Sequence, residues 1–164
     1  MARYAEKLHI VPLLSPAAST GTSLSYAAKL KNAQWLSFLV NWGSMTSDST
    51  DVMTLTVVAT TGGGNTTGAS DVAIPFVYRL SAAVGSDNWG DATTCANTGL
   101  TINATQDDVA LLIDVDPASI PALLSDAAGV RLVIDGTVVI TNYATSVIGL
   151  IEDRYPQAEH ISST

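Results

Sequence analysis

The residues able to do chemistry in this 164-residue chain are few. Proton transfer near neutral pH most often uses histidine. The two present, His9 and His160, stand near opposite ends, in segments that read as arms, so they form a site only if the chain ends meet. Asp114 and Asp116 lie two apart at a strand end, which puts both carboxylates on one face. With Asp107 and Asp108 nearby they could offer Ca²⁺ the several oxygens it takes. Two carboxylates on neighbouring strands also suit glycoside hydrolysis. The bland alternative is that aspartates at strand ends form turns. Trp35, Trp42 and Trp89 carry the flat rings of a carbohydrate platform, but Trp35 and Trp42 are seven apart. One regular strand through both would turn them to opposite faces, and at least one then belongs to the core. The single cysteine, Cys95, permits no internal disulfide and no cysteine-rich metal site, and reads as a small buried thiol. Ser is abundant, yet no Gly-x-Ser-x-Gly elbow occurs, and Gly62–Gly64 lacks the Gly-Lys-Ser/Thr of a phosphate loop. Asn65-Thr66-Thr67 and Asn103-Ala104-Thr105 match the glycosylation triplet, which matters only on a eukaryotic secretory route, and read here as turn and strand residues. No catalytic, metal or cofactor site emerges, and the expectation is a non-enzyme without cofactor.

The elements that would position these groups are strands. Composition points there first: 19 Thr and 15 Val stand against 3 Glu, and Thr and Val fit a pleated, half-buried surface better than a helix. Val52, Thr54 and Thr56 alternate with Met53, Leu55 and Val57, the period-two signal of a strand. Further strands are expected near 73–81, 100–104, 108–115, 130–135, 137–142 and 145–151, and over Trp35–Trp42. Residues 24–31 suit a helix on propensity or a strand paired through a 31–34 turn with Trp35–Trp42, and the strand is preferred. Thr61–Ser70 reads as a flexible loop tip and 85–99 as a polar connection. Asp116-Pro117 opens a short helical turn near 117–127, with Asp116 as its cap. The fold class is therefore all-β: a single-domain β-sandwich or jelly roll of eight or nine strands. Its expected division is an extended arm and linker over 1–23, the sandwich over 24–152 and a tail over 153–164.

Charge and hydropathy narrow the function classes. The net charge is −8 and charged residues are only 13% of the chain. Arg3, Lys7, Lys29 and Lys31 face only Glu6 in residues 1–31, whereas Arg79, Arg131 and Arg154 face 14 acids in the remainder. An acidic body repels nucleic acid. No apolar run approaches the roughly 18 residues of a membrane helix, and Glu6, His9 and Pro12 spoil a secretory signal, so the expectation is a soluble, non-secreted chain without membrane partner. The lack of disulfides suits assembly in a reducing cytoplasm. With 47% apolar residues and positive mean hydropathy, the chain carries more apolar surface than a soluble monomer needs. Burial against copies of itself or a larger partner resolves that excess.

Three segments carry a family resemblance. The opening Ala-Arg-Tyr-Ala-Glu-Lys-Leu-His-Ile-Val-Pro (2–12) is similar to the starts of small structural proteins of tailed bacteriophages. So is Val109–Asp116 followed by a helical turn and Gly129–Ile134, and so is the ending Ile151-Glu-Asp-Arg-Tyr-Pro156, where an aromatic-proline pair follows the last hydrophobic strand. The resemblance implies a capsid decoration or cement protein, often trimeric, on the outer surface of a virion head assembled in a bacterial cytoplasm. Such proteins bridge neighbouring major capsid proteins against the pressure of packaged DNA. It implies no catalytic residues and places the contacts in the leading segment: Arg3, Tyr4, Lys7, Leu8, Ile10, Leu13 and Leu14, with Arg3 and Lys7 meeting acidic capsid loops. The residues themselves leave open a carbohydrate- or receptor-binding module of a spike or tail, a ring protein of the tail or neck, and a hydrolase using Asp114 and Asp116.

Overall fold

The computed structural model describes residues 8–19, 21–43, 52–66, 68, 70–83, 85–103, 106, 108–136 and 143–154. Its strands are β1 (Leu8–Ser19), β2 (Thr22–Leu24), β3 (Ala28–Lys29), β4 (Ala33–Trp42), β5 (Val52–Thr60), β6 (Val72–Ile74), β7 (Phe76–Leu80), β8 (Thr93–Cys95), β9 (Leu100–Asn103), β10 (Ala110–Val115), β11 (Gly129–Gly136) and β12 (Tyr143–Asp153). They form two antiparallel sheets of six. Sheet A runs β1-β12-β4-β10-β7-β8; sheet B runs β2-β11-β5-β6, with β3 also pairing β11 and β9 also pairing β5.

Alternation builds the core. Leu36, Phe38, Val40 and Trp42 of β4, Leu111, Ile113 and Val115 of β10, and Val147 and Ile151 of β12 face inward from sheet A. Met53, Leu55 and Val57 of β5 and Val130, Leu132 and Ile134 of β11 face them from sheet B. All belong to one hydrophobic cluster, so the all-β sandwich expected from composition is the fold.

Among the described residues the strand count is twelve rather than eight or nine, in part because expected runs divide. The 73–81 run breaks at Pro75, whose missing N–H cannot serve a ladder. Before it β6 pairs β5 in sheet B, and after it β7 pairs β10 in sheet A. The chain crosses between sheets there, and Ile74 and Phe76, on either side, are both buried. Residues 22–29 form β2 and β3, which pair β11 rather than β4. Between them Ser25 is fully buried and keeps the ladder continuous: its hydroxyl accepts from Leu132 N at 2.9 Å while its own N–H donates to Leu132 O at 3.0 Å. The 85–99 connection contains β8, and the strand expected at 137–142 lies outside the described residues.

The leading segment is where structure and expectation part. Leu8–Ser19, expected as an arm, is the edge strand of sheet A, paired with β12 from Leu8↔Glu152 to Ser19↔Tyr143. Two register shifts, between Pro12 and Leu14 and between Leu14 and Ala17, interrupt the pairing. The prolines fit because one side of an edge strand makes no ladder bonds.

The expected loop tip is tied down. Arg131 rises from the outer face of β11, fully buried, and its guanidinium donates to the carbonyls of Gly64 and Thr66 and to Asp71 Oδ2. Asp71 Oδ2 also accepts from Gly68 N at 2.8 Å, so this ion pair holds the β5–β6 connection on sheet B. The expected helical turn is a 3-10 helix, Pro117–Ala122; Asp116 caps it by accepting from Ala118 N at 2.9 Å, and Ile120 enters the core.

Candidate functional site

Outward-facing residues form cross-strand rows on both sheets. Across sheet B one row reads Thr22, Asp135, Thr54, Thr101. It is polar, and the Thr22 hydroxyl donates to Asp135 Oδ1 at 2.8 Å; the next row, Leu24, Val133 and Thr56, is half-buried and mostly apolar. Across sheet A one row reads Pro12, Ile148, Leu39, Leu112, ending at Arg79. The next reads Ile10, Leu150, Ser37, Asp114, Val77, Thr94. Ile10, Pro12, Leu39, Leu112, Ile148 and Leu150 thus make one continuous apolar patch, half-buried or exposed, over β1, β12, β4 and β10.

Where this patch turns polar, a groove of about 340 Å³ opens, lined by Trp35, Pro75, Phe76, Val77, Thr94, Asp114, Asp116 and Ser119. Trp35 is 43% exposed, whereas Trp42 is buried with its indole N–H donating to Gln106 O at 2.8 Å. The opposite faces expected from their spacing are therefore observed. Asp114 Oδ1 accepts from the Ser37 hydroxyl at 2.6 Å and from the Trp35 indole at 3.4 Å, which fixes the carboxylate beside the ring. Asp116 lends Oδ1 to its helix cap. Trp35 and Asp114, weighed separately in the sequence, meet through the antiparallel pairing of β4 with β10.

The other expected site residues fall as follows. Leu8 is half-buried opposite Glu152, and Ile10 is 50% exposed in the patch. Leu13 is 1% exposed: the first register shift turns it into the core, so it is no surface contact in the folded chain, and Leu14 packs partly against that core. Arg3, Tyr4 and Lys7 lie outside the described residues, as do Asp107 and His160. His9 belongs to β1, with Nε2 2.8 Å from Asp153 Oδ2. Asp108 is exposed with φ 53°, and among the described residues no three His, Cys, Asp or Glu side chains gather to hold a metal ion. Cys95 is buried opposite Phe76, and burial pushes its thiol above the ordinary value, which disfavours the reactive thiolate. Among the described residues no helix is long and apolar enough to cross a membrane.

Sequence reasoning missed two positions. Arg131 counted only toward net charge, although a lone charge at an outward position of an apolar strand was a signal. Ser37, the closest partner of Asp114, left no signal at all. No protein-family model, curated protein or solved structure matches the chain.

Proposed function

We propose that the chain is a non-enzymatic structural protein of a phage particle, a capsid decoration protein that bridges major capsid proteins on the outside of the head and associates as a homotrimer. The observation that carries this reading is the apolar patch over four strands on the outer face of sheet A. A protein that cements a surface needs an adhesive side. The resemblance of residues 2–12, 109–134 and 151–156 to small phage structural proteins supplies the kind of partner.

The energetics favour many weak contacts over one strong one. Completing the burial of six partly exposed apolar side chains contributes about 1 kcal/mol each, roughly 6 kcal/mol together. Association costs about 4 kcal/mol or more before any contact is counted, so a single patch binds weakly. A trimer engaging three capsid sites at once converts the later contacts into intramolecular ones, raising avidity by a factor on the order of 10² or more. Weak, repeated contacts are what a lattice-bound protein can use.

Co-sedimentation with expanded phage capsids tests the proposal. The wild-type chain is expected to pellet with capsids, and Ile148→Asp, which places a charge in the patch without touching the core, to stay in the supernatant. A wild-type chain that stays in the supernatant, or an Ile148→Asp chain that pellets equally well, contradicts it.

A further inference from the structure

We propose that the groove beside Trp35 is a binding site for neutral sugars. A sugar ring has an apolar C–H face and a rim of hydroxyls, so its site needs a flat aromatic surface beside hydrogen-bond acceptors. The groove supplies both. Trp35 stands 43% exposed on β4, and its indole N–H is held by Asp114 Oδ1. Pro75 and Val77 continue the apolar wall. On the polar side, the second carboxylate oxygens of Asp114 and Asp116 accept no hydrogen bond from the described residues, so each can take a sugar hydroxyl. The exposed Thr94 hydroxyl adds a group that both donates and accepts. The volume, about 340 Å³, falls within the range of small-ligand sites.

Charge and shape select the ligand class. Two carboxylates in one groove repel uronic and sialic acids as they repel phosphate. An ammonium ligand is held by several rings set around it, whereas among the described residues Trp35 is the one exposed aromatic lining this groove, Phe76 being buried. A single open ring suits stacking on one face. Ser37 reinforces the choice by fixing Asp114 at 2.6 Å, which holds the acceptor before any ligand arrives.

The test is a titration of the ¹⁵N-labelled full chain followed through its three indole N–H signals. The probes are cellotetraose, maltotetraose and chitotetraose, with sialyllactose and tetramethylammonium chloride as charged controls. At least one neutral tetrasaccharide is expected to move the Trp35 signal saturably, with Kd on the order of 1 mM, leaving Trp42 unmoved. Trp35→Ala removes an exposed ring and leaves the core intact; monitored through the Thr94 and Ser119 amides, it is expected to weaken binding at least tenfold, and Asp114→Asn to weaken it less. No response to any neutral sugar at about 10 mM overturns the proposal. So does a response to sialyllactose or tetramethylammonium in place of the neutral sugars, or binding that Trp35→Ala leaves unchanged.

Discussion

Leu13 and Ile10 lie three residues apart on β1 and should respond to truncation by very different amounts. Leu13 is 1% exposed and Ile10 50% exposed. A Cβ placed on Gly149 would come within 2.7 Å of Leu13 Cδ1, so Leu13 occupies the room that the neighbouring strand leaves by carrying glycine. Leu13→Ala therefore opens a hole with no side chain at position 149 to collapse into it, and its cost should reach the upper part of the usual range, about 3–5 kcal/mol. At roughly 2–4 °C per kcal/mol for a chain of this size, Tm should fall by about 10 °C. Ile10→Ala removes a side chain only half withdrawn from water and should cost about 1 kcal/mol. Adding Gly149→Ala to Leu13→Ala puts a methyl into the hole, so the double variant should be more stable than the sum of the singles by on the order of 1 kcal/mol. Urea denaturation of the wild type, the three single variants and the double variant measures all of this. Were residues 8–19 a detached arm, neither single substitution would cost more than about 0.5 kcal/mol. A Leu13→Ala cost below 1 kcal/mol, or strict additivity with Gly149→Ala, would refute the packing described for β1.

Three further outcomes are expected. Arg131→Met strands the Asp71 carboxylate on sheet B and should destabilise by about 3–5 kcal/mol, whereas Arg131→Met with Asp71→Asn should recover more than 1 kcal/mol of it in the same denaturation assay. Gly99→Ala should cost about 2 kcal/mol or more, read as a lower urea midpoint, because residue 99 has φ +93° and a Cβ there meets Thr56 Oγ1 at 2.7 Å and Leu55 O at 2.9 Å. Burial raises the Cys95 thiol, so its contribution to stability is complete below the ordinary value of 9.0 and is lost as pH rises beyond it. The wild-type urea midpoint should thus fall more between pH 8 and pH 10.5 than that of Cys95→Ala, and equal falls would count against a buried thiol.

The legible parts of this fold were local. Alternation over 52–57 marked β5 and its inward face, the odd spacing of Trp35 and Trp42 separated an exposed ring from a core one, and Asp116-Pro117 marked a helix start. The parts that misled depend on neighbours. Residues 1–23 were expected as an arm and linker, yet Leu8–Ser19 is the edge strand of sheet A, where a proline is tolerated. Residues 24–31 looked like the first half of a hairpin with β4, yet Leu24, Ala28 and Lys29 pair β11, 100 or more residues away. Pairing of that range is set by core packing, and two- or three-residue strands carry too little pattern to announce it. The groove was half legible: its ring and its carboxylates were each recognised, and the register of β4 against β10 that joins Trp35 to Asp114 was not.

The reading stands or falls on the apolar outer face of sheet A being the surface that grips the capsid, presented in three copies by one trimer. The most direct measurement is retention of the full chain on immobilised expanded capsids beside that of Leu150→Asp, with the mass of both chains checked by light scattering. Both chains are expected near three times the 17.0 kDa chain mass, and only the wild type is expected to be retained. A wild-type chain that is a monomer or is not retained, or a folded Leu150→Asp trimer that is retained as the wild type is, would contradict it.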